Sequence, residues 1–202
     1  MKLNFLLSAV IMAAMLSCTN TKTTDNMDEN KVLEVLKTRR SVRAYQDKMP
    51  EKELIARIVE AGTYAPTGKG RQSPIIVAVT SRQVRDRLSA MNAEIMGSDS
   101  DPFYGAPVVL VVLADRTVPT YLYDGSLVMG NLMNAAHALG LGSCWIHRAK
   151  ETFQSEEGKR LLEEWGIEGD YEGIGNCILG YPARELPAPK ARKADYVRYI
   201  EE

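Results

Sequence analysis

Arg39-Arg40-Ser41-Val42-Arg43 crowds three guanidiniums and a hydroxyl together with no carboxylate among them. Such a run calls for an anion. Before it, Asp28 to Arg39 reads as an amphipathic helix, with Val32, Leu33, Val35 and Leu36 at helical spacing and Asp28, Glu29 and Glu34 toward its N-terminal end. Cations at a helix C-terminus also complement the macrodipole, so Arg39 and Arg40 have a purely structural reading beside the ligand-binding one. A second basic group bears on the choice. Lys190 and Arg192 lie in Leu186-Pro-Ala-Pro-Lys-Ala-Arg-Lys193, where prolines hold the backbone extended and basic side chains can share a target. The two patches are expected to converge on one phosphate.

Hydrophobic residues make up 45% of the 202-residue chain and charged residues 25%, enough for one well-filled core, so a single domain is expected. With a formal net charge of −1 there is no excess of positive charge to track a nucleic-acid backbone. The basic clusters are therefore local anion sites.

Residues 1–18 are different material. Lys2 is followed by a nearly uncharged run from Phe5 to Leu16 and then Ser17-Cys18, too short to span a bilayer and of the length of a signal-peptide core. Met15-Leu16-Ser17-Cys18 resembles a bacterial lipoprotein signal, in which the cysteine is lipidated and becomes the first mature residue. On this reading 1–18 is a signal peptide, 19–27 a polar tether and 28–202 the domain, exported and held at a membrane, facing the periplasm or exterior, by a lipid on Cys18. The alternative is translation from Met27, giving a cytoplasmic protein.

Beyond the arginines the elements alternate. Glu51–Tyr64 is a predicted helix, Pro74–Thr80 a strand, Arg82–Met96 a helix, and Pro107–Leu113 an apolar strand buried on both faces. Tyr121–Leu139 follows as a helix apolar around most of its circumference, suited to a domain centre or a second subunit. Strands at Gly142–Ile146 and Gly175–Leu179 flank a helix from Glu151 to Trp165. Cys144 and Cys177, in those two strands, read as small buried hydrophobes; a disulfide between them requires the strands to be neighbours.

Familiar catalytic signatures are missing. Ala65-Pro-Thr-Gly-Lys-Gly-Arg-Gln72 contains Gly-Lys, but no strand precedes it and Gly70 stands where a P-loop needs Ser or Thr. Gly140-Leu-Gly142 ends a helix and enters a strand, the reverse of the dinucleotide-binding order, so Gly140 reads as a helix C-cap. His137 and His147 have no further ligand at metal spacing, and neither sits near a nucleophile elbow, so no metal site is expected.

Taken in order, Arg39–Tyr45, Ala65–Gln72, Phe103-Tyr-Gly-Ala-Pro107, Ala138-Leu-Gly-Leu-Gly-Ser-Cys-Trp145, Gly180-Tyr-Pro182 and Pro189-Lys-Ala-Arg192 resemble the nitroreductase family of FMN flavoproteins, over essentially all of residues 29–199. The resemblance implies an α+β fold, with a central mixed sheet flanked by helices, in a homodimer that holds FMN in clefts at the interface. By position, Arg39 and Ser41, with Arg40 close by, match phosphate and ribityl ligands, and Lys190 with Arg192 the phosphate clamp. Arg43 matches a cation near the flavin pyrimidine edge, and Gln72 a ring contact, although Gly70 replaces the usual Asn. Trp145, Ile146 and His147 match the segment passing the ring's reactive edge. Phe103 and Tyr104, ending the variable stretch from Met91, match the substrate pocket.

The chemistry so implied is hydride transfer from NADH or NADPH through FMN to a nitroaromatic, quinone or similar acceptor, in ping-pong order, with the flavin rather than a side chain as the reacting group. Two rivals stand beside it: another flavin reaction on the same fold, such as reductive dehalogenation or flavin fragmentation, and a non-catalytic flavin-binding lipoprotein.

Overall fold

The structure is a computed structural model that describes residues 24–201, with side chains from Lys31 onward. The expected signal peptide and Cys18 lie outside the described residues. Helix α1 spans Thr24–Thr38, beginning four residues before the expected Asp28. Then follow α2 (Lys52–Thr63), a short 3-10 turn at Gly68–Gly70, β1 (Pro74–Val79), α3 (Arg82–Met96), β2 (Val108–Asp115) and α4 (Tyr121–Ala138). The chain continues through β3 (Gly142–Ile146), α5 (Ala149–Gln154), α6 (Glu156–Glu164) and β4 (Tyr171–Gly180).

Local chemistry sets these limits. Ser81 caps α3, its hydroxyl accepting from the Val84 amide, and Gly97 at φ 67° ends it by turning left-handed while its N–H reaches the carbonyls of Ala93 and Glu94. The single helix expected over 151–165 is two. Ser155, extended at ψ 158°, interrupts it by donating its hydroxyl to the Thr152 carbonyl (2.7 Å) and accepting from the Gly158 amide (3.0 Å), so one side chain closes α5 and opens α6. The last strand starts at Tyr171, not Gly175, because the half-polar run Tyr171-Glu172-Gly173 pairs with the end of β2.

The four described strands run in the order β1-β2-β4-β3, and every pair is antiparallel. The mixed sheet expected from the sequence is thus corrected to an antiparallel one among the described strands, with one parallel bridge that joins Ser41, outside the strands, to Ser143 of β3. Central β2 is buried over Val108–Ala114, as its uninterrupted apolar run predicts. One face of the sheet packs Val108, Leu110, Cys177 and Leu179 with Ile58 of α2 and Met129 and Leu132 of α4. The other packs Val109, Val111, Cys144 and Ile178 with Leu88, Phe153 and Leu161 of α3, α5 and α6. Helices on both faces of the sheet make an α+β fold. Cys144 and Cys177 sit on neighbouring strands but belong to opposite faces, so both are free thiols, and burial pushes the Cys177 thiol up to about 12.

Gly175 of β4 has no room for a side chain, since a Cβ there would stand 2.5 Å from Trp145 Nε1 and 3.0 Å from Met129 Cε. Gly175→Ala should displace the Trp145 indole and destabilise the fold by about 1–3 kcal/mol through overpacking. The expected outcome is a lower Tm with a red-shifted tryptophan emission.

Candidate functional site

The amide of Arg39 closes the last turn of α1 on the Val35 carbonyl (3.0 Å), and the chain then runs extended along the outer edge of β3. Backbone bonds hold it there: Val42 N–H to Ser143 O (2.9 Å), Gln46 N–H to Tyr181 O (2.9 Å) and Ala183 N–H to Ala44 O (3.0 Å). The Tyr45 hydroxyl donates to Val42 O (2.9 Å) and closes the strip on itself. A hollow of about 150 Å³ lies beside it, lined by Arg39, Arg40, Val42, His137, Gly140–Ser143, Pro182 and Leu186.

The two arginines play different parts. Arg40 gives Nη1 to the carbonyls of Lys37 and Arg39 (both 2.8 Å) and Nε to Pro187 O (3.1 Å), capping α1 and tying down the C-terminal segment. That is the structural reading, realised. Arg39 differs: its Nη1 is buried without a hydrogen-bond partner. A buried guanidinium nitrogen left unpaired is costly, and an anion would satisfy it.

His137, in the last turn of α4, faces the same hollow, and its Nε2 lies 2.8 Å from Thr38 Oγ1. Burial, then the charges of Arg39 and Arg40, hold its imidazole below the usual histidine range, with Glu34 opposing. The late basic pair joins the hollow only through the chain leading to it. Leu186 lines it and Pro187 accepts from Arg40, while Lys190 and Arg192 are exposed and outside it.

At the opposite end of β3, Trp145 is half-buried, Ile146 buried and His147 exposed. The turn after them is fixed by Asn92 of α3, fully buried, which donates to His147 O (2.8 Å) and accepts from Arg148 Nε (3.1 Å). Arg148 needs that support, since its φ is 72°. Arg43 is exposed on the strip between the two ends.

Gln72 is elsewhere. It precedes β1, at the edge of the sheet away from β3, with three strand spacings or about 14 Å between those edges. Its loop is contorted, with Lys69, Gly70 and Gln72 all at positive φ, and is tied by the buried carboxylate of Asp124 at the start of α4. Asp124 accepts from Gly68 N–H (2.9 Å), Ser73 Oγ (2.9 Å) and Thr120 Oγ1 (3.0 Å). Its neighbours leave Gly68 no space, because a Cβ would meet Thr120 Oγ1 at 2.3 Å.

Phe103 must be withdrawn from the substrate pocket. It is fully buried among the residues of the second core face, with the Arg85 guanidinium 5.5 Å from its ring centre, and touches no open space. Tyr104 beside it is exposed, turned outward at φ 53°. A second hollow of about 310 Å³ opens near Asp47, Arg82 and Arg85. Arg85 offers it little, each of its nitrogens already having an acceptor in Ala106 O, Asp86 or Asp101. Among the described residues no group of ligating side chains could hold a metal.

Sequence reasoning missed Asp124, Asn92 and His137. Only His137 left a usable trace, its place in the last helical turn before Gly140-Leu-Gly142.

The chain matches the nitroreductase family model over residues 36–100 and 94–181. It is 30% identical, over 159 residues, to a protein of Archaeoglobus fulgidus provisionally named NADH dehydrogenase/NAD(P)H nitroreductase, covering 76% of this chain and 86% of that one. A relative of the same provisional name from Methanothermobacter thermautotrophicus is 31% identical over 123 residues, and the chain spans 59% of its length. The crystal structure of a Bacteroides fragilis nitroreductase with bound FMN superposes with a TM-score of 0.77 at 29% identity, covering 84% of this chain and 98% of that one.

Asp124→Ala removes three hydrogen bonds from the 68–73 loop at once. A stability loss of about 3 kcal/mol is expected from bonds worth about 1 kcal/mol each. Amide exchange should show protection lost first in the peptide covering residues 66–73.

Proposed function

The chain belongs to the nitroreductase family, and from that premise we propose that it is a homodimeric FMN-dependent oxidoreductase passing hydride from NADH or NADPH to a nitroaromatic, quinone or similar acceptor. The observation that carries this reading is the buried, unpartnered Nη1 of Arg39, a residue that lines the hollow and that the family resemblance matches to a phosphate ligand. A flavin phosphate is a dianion, and a guanidinium presented without a competing carboxylate suits it.

FMN, when bound, supplies the redox chemistry, taking hydride from the nicotinamide in one half-reaction and giving it to the acceptor in the other. The protein binds, orients and tunes. Arg39 would neutralise the phosphate, and Ser41, bridged to Ser143 and so fixed in place, would hold the ribityl chain. Arg43 would set a cation on the same strip, and positive charge beside a ring that gains electrons favours its reduced form. The strand end at Trp145, Ile146 and His147, immobilised through Asn92, would offer a fixed edge against which the ring is oriented. Lys190 and Arg192, exposed in the single chain, would complete the clamp in the dimer. Gln72 would contribute from the second subunit, and exposed Tyr104 would meet the acceptor.

A single chain supports only part of this. The hollow is about 150 Å³, below the roughly 300–1,000 Å³ of pockets that enclose drug-sized ligands. On α4, Leu122 is 47% exposed, Tyr123 71% and Leu127 47%, and nothing lies within 4 Å of where a Cβ on Gly130 would stand. Val32, Leu33 and Leu36 of α1 are also exposed. Such a surface favours a second copy. Two α4 helices packed antiparallel would set the Gln72 loop of one chain, at the start of α4, near the Arg39 hollow of the other, at its end.

For the leader, the reading that 1–18 is a lipoprotein signal and Cys18 the anchored residue remains our proposal, and palmitate labelling lost in Cys18→Ser tests it. No helix among the described residues is long and apolar enough to cross a membrane.

Purified protein should be yellow, sediment as a dimer and bleach under NADH or NADPH, recovering colour with a nitroaromatic or quinone. Arg39→Ala should weaken FMN about 10–100-fold, the loss of one charge-assisted contact worth about 1.5–3 kcal/mol. Bound flavin that no nicotinamide reduces would favour the non-catalytic reading, and FMN affinity unchanged in Arg39→Ala would overturn the phosphate assignment.

A further inference from the structure

His137 is half-buried in the Arg39 hollow, and its hydrogen bonding fixes its tautomer. Thr38 Oγ1 lies 2.7 Å from the Glu34 carbonyl and 2.8 Å from His137 Nε2. A hydroxyl has one proton, and the carbonyl can only accept it, so toward the imidazole Thr38 is the acceptor and Nε2 carries the hydrogen. Neutral His137 therefore has a bare Nδ1, and a further proton goes there.

The surroundings oppose that proton as long as no anion is present. The strip after α1 brings Arg39 and Arg40, and α1 itself brings Glu34, the counter-charge acting on the ring among the described residues. Ser143 of β3, with Pro182 and Leu186 of the C-terminal segment, adds no ionisable group to the lining, and Lys190 and Arg192 farther on would only add positive charge. A dianion held by the unpartnered Nη1 of Arg39 reverses the local field.

We propose that His137 is a proton-linked member of the phosphate site, taking up a proton on Nδ1 when a phosphate monoester enters the hollow, so that flavin is held more tightly as pH falls. The inference rests on the reading of this hollow as the FMN phosphate site. Linkage makes it reciprocal: whatever proton affinity the bound phosphate adds to His137, His137 returns as phosphate affinity at low pH. In the flavin-free chain the sign is opposite. An imidazole held below its usual range contributes stability above that range and loses it as pH falls, and bound FMN should offset the loss.

The chain has two histidines, so imidazole NMR of the full protein resolves the question, with His137→Gln identifying the signal. The His137 midpoint should rise on loading flavin-stripped protein with FMN and stay put with riboflavin, which lacks the phosphate. The neutral ring should show the Nε2–H form. FMN affinity should weaken by about fivefold or more between about pH 5.5 and pH 8, beyond the change in His137→Gln, which retains the phosphate's own titration. A midpoint unmoved or lowered by FMN, an equal rise with riboflavin, or equal pH dependence in both proteins would overturn the proposal. If FMN still needs Arg39 while His137 titrates unchanged, the proton link fails and the phosphate site stands; if FMN binds without Arg39, the site assignment fails first. Should the Gln variant misfold, the FMN and riboflavin arms on the unaltered chain still decide.

Discussion

The hydrogen bond from Val42 N–H to Ser143 O holds the arginine strip against the edge of the sheet, and the candidate site depends on it. Without it, Arg39 to Arg43 would be a flexible connection between two helices, and its charges would be solvated. The contact exists because Gly142 has no side chain: a Cβ there would stand 2.7 Å from Val42 Cγ2. Val42, buried among arginines, is the strip's hydrophobic anchor. The strip also covers the outer edge of β3, an otherwise unpaired row of backbone groups, so the segment that protects the sheet is the one that carries the arginines.

Anion binding and helix capping compete for cations of one kind, and here two adjacent arginines divide the work. Arg40 is spent on three carbonyls. Because the α1 terminus and the Pro187 carbonyl are satisfied by Arg40, Arg39 can keep a nitrogen unpaired inside the protein, which would otherwise be drawn to those carbonyls. Its desolvation is a cost that the proposed phosphate would relieve. The same field bears on His137, the weakest base in the hollow and the one whose charge can change near neutral pH.

Most of the fold was legible because its elements carry one clear period each. The apolar run of β2 and the all-round apolar α4 read directly, and the sheet order followed neither from composition nor from spacing. Failures came where one side chain outweighed a pattern. Ser155 divides a continuous helical periodicity by capping both ways, and Phe103 looked like a pocket aromatic because sequence shows neighbours along the chain and not the Arg85 guanidinium against its ring. At the site, the sequence exposed the charges but not their allotment, since whether Arg39 or Arg40 caps the helix depends on the path of the tail at Pro187. Asp124 left no trace at all, as its hydrogen-bond partners Gly68 and Ser73 lie more than fifty residues away.

In the proposed dimer the Gln72 loop and the Arg39 hollow belong to opposite ends of α4. Asp124 and His137 mark these two places on one straight element, so about 20 Å of helix axis lies between them. The spacing across the sheet gives a distance of the same order by a different route. In the proposed pair, a two-fold operation through the exposed face of α4 would reverse the helix, set its beginning beside its partner's end and bury Leu122, Tyr123 and Leu127 in the same step. The pair we propose joins two features of α4: the exposed Leu122, Tyr123 and Leu127 on its surface, and the Gln72 loop and the Arg39 hollow at its two ends.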